Sequence, residues 1–451
     1  MLYFDSPNTN EVKSLIKARE IWDQFIEGNY KTAEPGIIFW STMSDYSPSN
    51  YVGRPIICTN PCAEVPLEDG GACNLGSINL SRFVKDGFTP EASIDWDQLA
   101  ESSETLVRFL DNVVTWNEDL NALPKQRQAA SETRRLGLGV MGIADMLNQL
   151  GVAYDSEQGT MMIEKVMEYI TNASYQASSF IAKEKGASSI FDEEAYMECP
   201  FVKEALSEQT HNMIRKNGLR NIAIMSIAPT GSISNIVLGY KSEEKNYIGV
   251  SGGVEPIFST FYTRRSESFG NKMFKVFHST IQAYIDKMDI QEDVDKAEDV
   301  DEVLPEFLTR TAHKIDSVKR VGVQGVIQRY IDHSISSTIN LPEDVEPETI
   351  SDIYIKAWKN KLKGVTIYRD GSRFPILSVE NKMTEFQEMK NKSFSIMQEN
   401  GETIDMAGDD IFKRPDGKLT TMYHHLKKMK TESEDDSTTT ETVATTEEVK
   451  V

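Results

Sequence analysis

Two thiols, a carboxamide and a carboxylate crowd into one short stretch of this chain. Asn60-Pro61-Cys62-Ala63-Glu64 is followed closely by Gly71-Ala72-Cys73-Asn74-Leu75-Gly76, and with 4 Cys in 451 residues, half of all the thiols fall here. Pro61, Pro66, Gly70 and Gly71 mark loops and turns around them. A negative neighbour raises a thiol pKa and no histidine lies nearby in sequence, so Cys62 beside Glu64 makes a poor hydrolytic nucleophile. The set suits a different chemistry, in which a neutral thiol carries a hydrogen atom, the carboxylate takes a proton, the amide donates, and the second thiol supplies electrons. A structural loop cysteine is the plain alternative. Zinc is disfavoured, because Cys58, Cys62 and Cys73 contain no Cys-x-x-Cys spacing and the first histidine is His211; no metal site is expected. Cys58 and Cys199 read as buried, inert thiols.

Holding such groups in place calls for a sheet with helices packed on it. Helical periodicity runs through residues 11–28, 99–114, 158–185, 325–332 and 347–361, and short apolar strand candidates stand at 37–40, 221–228 and 364–368. Helices alternating with isolated strands predict an α/β architecture around one central sheet or barrel. That rhythm stops after Pro375. The expected organisation is a main domain over residues 1–375, an appendage over 376–430, and a disordered acidic, Thr-rich tail over 431–451.

Composition narrows the function classes. A formal charge of −22 argues against gripping a nucleic-acid polymer, which requires clustered Lys and Arg. No apolar stretch approaches the roughly 20 residues of a membrane span and no secretory leader is visible, so a soluble cytoplasmic protein is expected. The acidic run 289–302 reads as a solvated loop or helix face. So few cysteines in so long a chain make catalytic thiols a better reading than a disulfide scaffold.

Two glycine motifs need separate treatment. Pro229-Thr230-Gly231-Ser232-Ile233-Ser234 follows a strand candidate, and hydroxyls with backbone amides at a helix start suit an anion such as phosphate; a plain Ser or Thr cap is the alternative. Gly137-Leu138-Gly139-Val140-Met141-Gly142 matches the dinucleotide fingerprint in letters only, because no strand precedes it. Close helix packing is the expected reason for its glycines.

The cysteine segment, with residues 77–80 continuing as Ser-Ile-Asn-Leu, resembles the active-site segment of the catalytic subunit of ribonucleotide reductase. Residues 33–39, 134–142, 228–234 and 363–373 match other family motifs in the same order, so the resemblance covers residues 10–375. It implies the second half of a ten-stranded α/β barrel, with a central finger loop carrying Cys62 as a thiyl radical. In that picture Glu64 is the general base for the 3′-hydroxyl, Asn60 hydrogen-bonds the substrate hydroxyls, and Cys73 is one of two reducing thiols. Pro229, Thr230, Gly231, Ser232, Ile233 and Ser234 match the phosphate-binding loop.

The family's other reducing cysteine and its effector loops belong to the first half of the barrel. The resemblance places neither Cys58 nor Cys199 in that role. The resemblance therefore implies either an N-terminal half from another chain or a truncated gene, and the expected partners are that half, the ribonucleotide substrate and possible self-association. The family's re-reducing C-terminal cysteine pair has no counterpart after Cys199, which implies an external thiol reductant such as thioredoxin, or cysteines on the partner. Branches fed by a metal-radical protein carry two adjacent tyrosines where Tyr368 and Arg369 stand here. The wording around Tyr368 resembles instead the adenosylcobalamin-dependent branch, which makes deoxyribonucleotides for DNA replication. A large subunit fed by a metal-radical protein, and a catalytically silent scaffold, are the alternatives.

Overall fold

The computed structural model describes residues 2–5, 12–266, 272–373, 384–397, 403–435 and 449–450. It divides into two compact units: the larger holds Ile37–Ile339 and Lys356–Thr366, the smaller the remaining stretches 1–36, 340–355 and 367–451. The expected boundary at residue 375 lies outside the described residues.

The larger unit is an α/β structure built on a wall of neighbouring extended segments. Asn74–Asn79 pairs in parallel with Leu136–Met141, residue for residue from Asn74 opposite Leu136 to Asn79 opposite Met141. The next ribbon is residues 221–228: Leu138 N donates to Ile224 O at 2.8 Å and Ser226 N to Leu138 O at 2.9 Å. Ser336 N then donates to Ile227 O at 2.9 Å, and Thr366 N to Ser337 O at 3.1 Å. Gly364 and Val365 pair antiparallel with Ile38 and Ile37. Residues 221–228, expected as a strand, are extended and fully buried but join their neighbours by isolated parallel bridges rather than a continuous ladder. Among the described residues the strands form two- and three-stranded sheets, and no closed barrel is present.

Leu136, Leu138, Val140, Ile222, Ile224 and Ile227 are wholly excluded from solvent; burying each such side chain stabilises by about 1.5–3 kcal/mol. Helices Trp96–Asn117 and Glu157–Lys185 contain the expected periodic stretches 99–114 and 158–185. Each starts at a side-chain cap, Asp95 accepting from Gln98 N and Ser156 from Gly159 N, which satisfies an amide that has no partner within the helix.

Gly137 and Gly139 lie within the strand Leu136–Met141, and Gly142, at φ 72°, caps the helix Ile143–Gln149. A Cβ on Gly139 would sit 2.3 Å from Ser226 O, and one on Gly137 would sit 2.4 Å from Leu75 Cδ2 and 2.9 Å from Cys73 Sγ. Close helix packing is thus corrected to close approach of neighbouring ribbons, and the dinucleotide fingerprint stays rejected.

In the smaller unit the expected helix over 11–28 divides. Val12–Ile16 is a strand paired with Leu2–Asp5, and the helix runs Ala18–Thr32. Gly28 and Asn29 do not end it; Asn29 is buried with its amide donating to Tyr354 OH at 3.2 Å, and Ala33 takes the left-handed cap. In the larger unit the helix expected over 325–332 starts earlier, as Ser317–Gln328. Of residues 37–40 only Ile37–Ile38 is strand, since Trp40 opens a short helix. In the acidic run, Gln291–Lys296 and Val300–Glu302 are short helical turns that bury Val294 and Val300. Helix Met422–Asp435 extends into the expected tail, whose residues 436–448 and 451 lie outside the described residues. No described helix is long and apolar enough to cross a membrane.

Candidate functional site

Residues 60–65 form the loop of a β-hairpin, Ile56–Thr59 pairing antiparallel with Pro66–Glu68. Asn60 closes the loop: its N donates to Val65 O at 3.1 Å, its Oδ1 accepts from Val65 N at 3.0 Å, and its O accepts from Ala63 N at 3.0 Å. The tight closure holds Ala63 at φ 62°, a left-handed conformation that L-residues other than Gly, Asn and Asp seldom adopt. Asn60 Oδ1 is therefore committed to the loop, and only its amide donors remain for a ligand.

Glu64 anchors the loop on the wall. Its carbonyl accepts from Ser334 N and from Ser226 Oγ, both at 2.9 Å. Its side chain is 2% exposed, and Oε2 is buried without a hydrogen-bond partner. Cys62, two residues earlier, is exposed. Partial burial and then the Glu64 carboxylate push its thiol above the ordinary range. Cys73 leads into the strand Asn74–Asn79. Burial dominates there; Arg135 pulls the thiol down while Asp332, Glu64 and Glu68 push up, and it ends at about 12. Both thiols are thus held protonated, and Glu64 acts on each.

Of the other cysteines, Cys199 is buried as expected and its thiol is pushed up to about 11 by burial. Cys58 is exposed, against expectation; a register shift between Ile56 and Cys58 breaks the alternation, so that Ile56 is buried while Ile57 and Cys58 both turn outward.

The turn at residues 229–234 begins three residues beyond Ser226. Thr230 is buried at φ 53° with Oγ1 accepting from Gly253 N at 2.8 Å, while Gly231, Ser232 and Ile233 are exposed. The helix start expected there is a single 3₁₀ turn, Ile233–Asn235, followed by the strand Leu238–Lys241.

Behind the thiols lies a buried polar cluster that spacing did not reveal. Arg135 pairs with the Glu68 carboxylate and donates to His333 Nε2 at 2.8 Å, and Thr133 Oγ1 donates to Glu68 Oε1 at 3.0 Å. Lys363 Nζ gathers the carbonyls of Asp332 at 2.5 Å, His333 at 2.6 Å and Ile331 at 3.2 Å. Burial lowers that lysine to about 8, against the pull of Asp332 and Cys199. Asp332 accepts from Tyr175 OH and from the amides of Ile224 and Met225. Arg135 and Lys363 stood inside family-like motifs, but nothing in the sequence pointed to Asp332 or His333.

His333 yields a pH prediction. Accepting from Arg135 makes its ring neutral with the proton on Nδ1, and burial plus the Arg135 and Lys363 cations hold its pKa well below 6.5. The unfolded chain then binds the proton that the folded chain refuses. Stability contributed by the neutral ring is present above pH 6.5 and lost as pH falls, by up to about 1.4 kcal/mol per pH unit. Urea denaturation at pH 7 and pH 5 is expected to show a smaller acid loss for His333→Gln than for the parent; equal losses would remove the assignment.

Comparison with known proteins follows the same lines. The family model "Ribonucleotide reductase, barrel domain" matches residues 2–368. The chain is 36% identical over 379 residues to the vitamin B12-dependent ribonucleoside-diphosphate reductase of Thermoplasma acidophilum, covering 82% of this chain and 44% of that protein. It is 32% identical over 386 residues to the protein of the same name from Mycobacterium tuberculosis, covering 82% and 49%. The class Id ribonucleotide reductase alpha subunit of Actinobacillus ureae is similar in fold, with a TM-score of 0.58 at 21% identity over 78% of this chain and 61% of that one. The chain spans about half the length of the curated relatives it matches.

Proposed function

The chain belongs to the ribonucleotide reductase family, and from that premise we propose that it carries the catalytic thiol of an adenosylcobalamin-dependent reductase converting ribonucleotides to 2′-deoxyribonucleotides. The observation that carries this reading is Glu64, a buried carboxylate with an unpartnered oxygen whose charge adds to burial in raising two separate thiols. A hydrogen-atom carrier needs its S–H intact, and a general base needs a lone pair not spent on the protein.

In this reading the wall is the second half of a ten-stranded barrel and the hairpin loop at 60–65 is its finger. Cys62 takes the 3′ hydrogen atom of the ribose, Glu64 accepts the 3′-hydroxyl proton, and the Asn60 amide orients the substrate hydroxyls. Cys73 and a second thiol from the rest of the barrel together give two electrons and two protons, closing a disulfide between them, as the 2′ oxygen leaves as water. The exposed crest at Gly231, Ser232 and Ile233 receives the substrate phosphates, with Pro229, Thr230 and Ser234 shaping it.

Adenosylcobalamin, when bound, supplies the one-electron oxidant by homolysis of its cobalt–carbon bond. The chain fits that source at two places. Cys62 is exposed, open to a bulky group approaching from beyond the hairpin. Arg369, standing where a second relay tyrosine would be, is buried over the Tyr30 ring at 4.0 Å and donates to Tyr30 O and Glu343 O.

The chain spans about half the length of its curated relatives, so in this reading the rest of the barrel lies in residues outside the sequence described, and an external thiol such as thioredoxin re-reduces the site. Ile57 at 58% exposure and Leu75 at 47%, both beside the cysteines, support an apolar surface awaiting cover. Assembled with that complement, nucleotide and dithiol, the enzyme is expected to turn over only with adenosylcobalamin. Turnover without it, dependent on a separate metal-radical protein, would overturn the cofactor and favour a large subunit of the other branch.

A further inference from the structure

We propose that Asp145 is a positioning residue for the phosphate turn, fixing through the backbone of Ser251 the ribbon 249–253 to which both ends of the exposed crest are tied. The proposal rests on the reading of residues 229–234 as the turn that receives the substrate phosphates, and it adds the group that holds that turn in shape.

The crest at Gly231, Ser232 and Ile233 is exposed, and its two flanks meet one ribbon: Gly253 N donates to Thr230 Oγ1 at 2.8 Å and Val250 N to Ser234 O at 2.9 Å. The fit leaves no slack. A Cβ on Gly252 would sit 2.8 Å from Pro229 O, and one on Gly253, at φ 46°, would sit 2.9 Å from Ala228 O. Any displacement of the ribbon is therefore passed to the turn.

The ribbon's other edge rests on the start of the helix Ile143–Gln149. Gly142 N donates to Ser251 O at 2.8 Å, and Ser251 N donates to Asp145 Oδ2 at 2.7 Å. Asp145 is fully buried, and its second oxygen accepts from His278 Nε2 at 2.7 Å and from Thr280 Oγ1. Burial alone would raise this carboxyl, but His278, Thr280 and the Ser251 amide hold it below the ordinary carboxylate range. An ionised carboxylate only accepts, so three donors converge on one anchor. His278 and Thr280 stand at the start of the helix Ser279–Met288, whose Ser279 Oγ donates to Gly249 O. The ribbon is thus pinned at 249 and 251 from two helices.

Loss of the anchor leaves the Ser251 amide buried without an acceptor, which favours displaced arrangements of ribbon and turn. With the binding-competent shape reduced to about a tenth of the population, Asp145→Ala is expected to raise the KM for a ribonucleoside diphosphate about tenfold in the assembled enzyme, with kcat within about twofold of the parent. Hydrogen exchange of the full chain is expected to quicken at 228–237 and 249–253 and to stay unchanged in the strand Leu136–Met141. Asp145→Asn is the rescue. Its oxygen still accepts from Ser251 N while its amide faces Thr280 and the other tautomer of His278, so KM should return to within about threefold of the parent. Parent-like KM and exchange in Asp145→Ala, or lowered stability with neither changed, would overturn the proposal. Should Asp145→Ala fail to fold, His278→Ala removes one donor from the anchor and is expected to raise KM about threefold with the same exchange pattern; parent values there overturn it equally.

Ser232→Pro separates this proposal from the reading beneath it. The backbone at Ser232 already stands at φ −88°, and proline removes the crest amide and hydroxyl together. A raised KM in Ser232→Pro with a parent-like KM in Asp145→Ala sinks the positioning role alone. An unchanged KM in Ser232→Pro sinks the phosphate reading, and this proposal with it.

Discussion

Replacing Cys62 by serine is expected to cut deoxyribonucleotide formation in the assembled enzyme by on the order of 10³-fold or more, as loss of an essential covalent or radical centre does. An alcohol O–H bond is too strong to serve as the hydrogen-atom carrier, and serine keeps the size of the side chain, so the chemistry is removed and little else. The exposure of Cys62 and the backbone closure of its loop through Asn60 and Val65 mean that the fold should barely register the change. Unfolding free energy is expected to stay within about 0.5 kcal/mol of the parent. Product chromatography and urea denaturation, run side by side, separate the two effects. Turnover near the parent rate would dismiss Cys62 as the radical site.

Glu64→Gln is expected to lower turnover by roughly 10²–10⁴-fold, the usual contribution of a positioned general base. The loop should hold, because Ser226 Oγ and Ser334 N bind the Glu64 carbonyl and not its side chain. Removing a buried charge with an unpartnered oxygen relieves a desolvation penalty, so stability should be unchanged or higher. The two thiols provide a second readout: Glu64 pushes up both Cys62 and Cys73, so both should alkylate faster in the variant at a fixed pH. Lost activity, retained or increased stability and faster thiols together mark a residue whose placement serves chemistry at the expense of the fold. Retained turnover would reassign the base.

Residue types pointed to the hairpin as the candidate site because its members are neighbours in sequence. Asn60, Cys62 and Glu64 share one loop, closed by the paired residues Thr59 and Pro66. Long amphipathic helices were legible for the same reason, their periodicity being local. What stayed hidden is whatever depends on partners far along the chain. Val12–Ile16 offers an apolar run that fits either period, and pairing with Leu2–Asp5 makes it a strand. Gly28 and Asn29 look like a helix stop, but Asn29 meets Tyr354 and the helix continues to Thr32. The Glu68, Arg135 and His333 cluster joins three distant segments, so no spacing rule could have assembled it. The glycines at 137 and 139 announced close packing, yet only the ladder reveals that the neighbours are Cys73 and Ser226.

The ammonium of Lys363 sets a schedule for biosynthesis. It gathers the carbonyls of residues 331–333, and the amide of the next residue, Ser334, holds the hairpin through Glu64. On the ribosome, residues 56–68 emerge nearly three hundred residues before the lysine that secures their support. Until that lysine clears the exit tunnel the nascent hairpin lacks its final brace, so its fixed geometry is acquired late in translation.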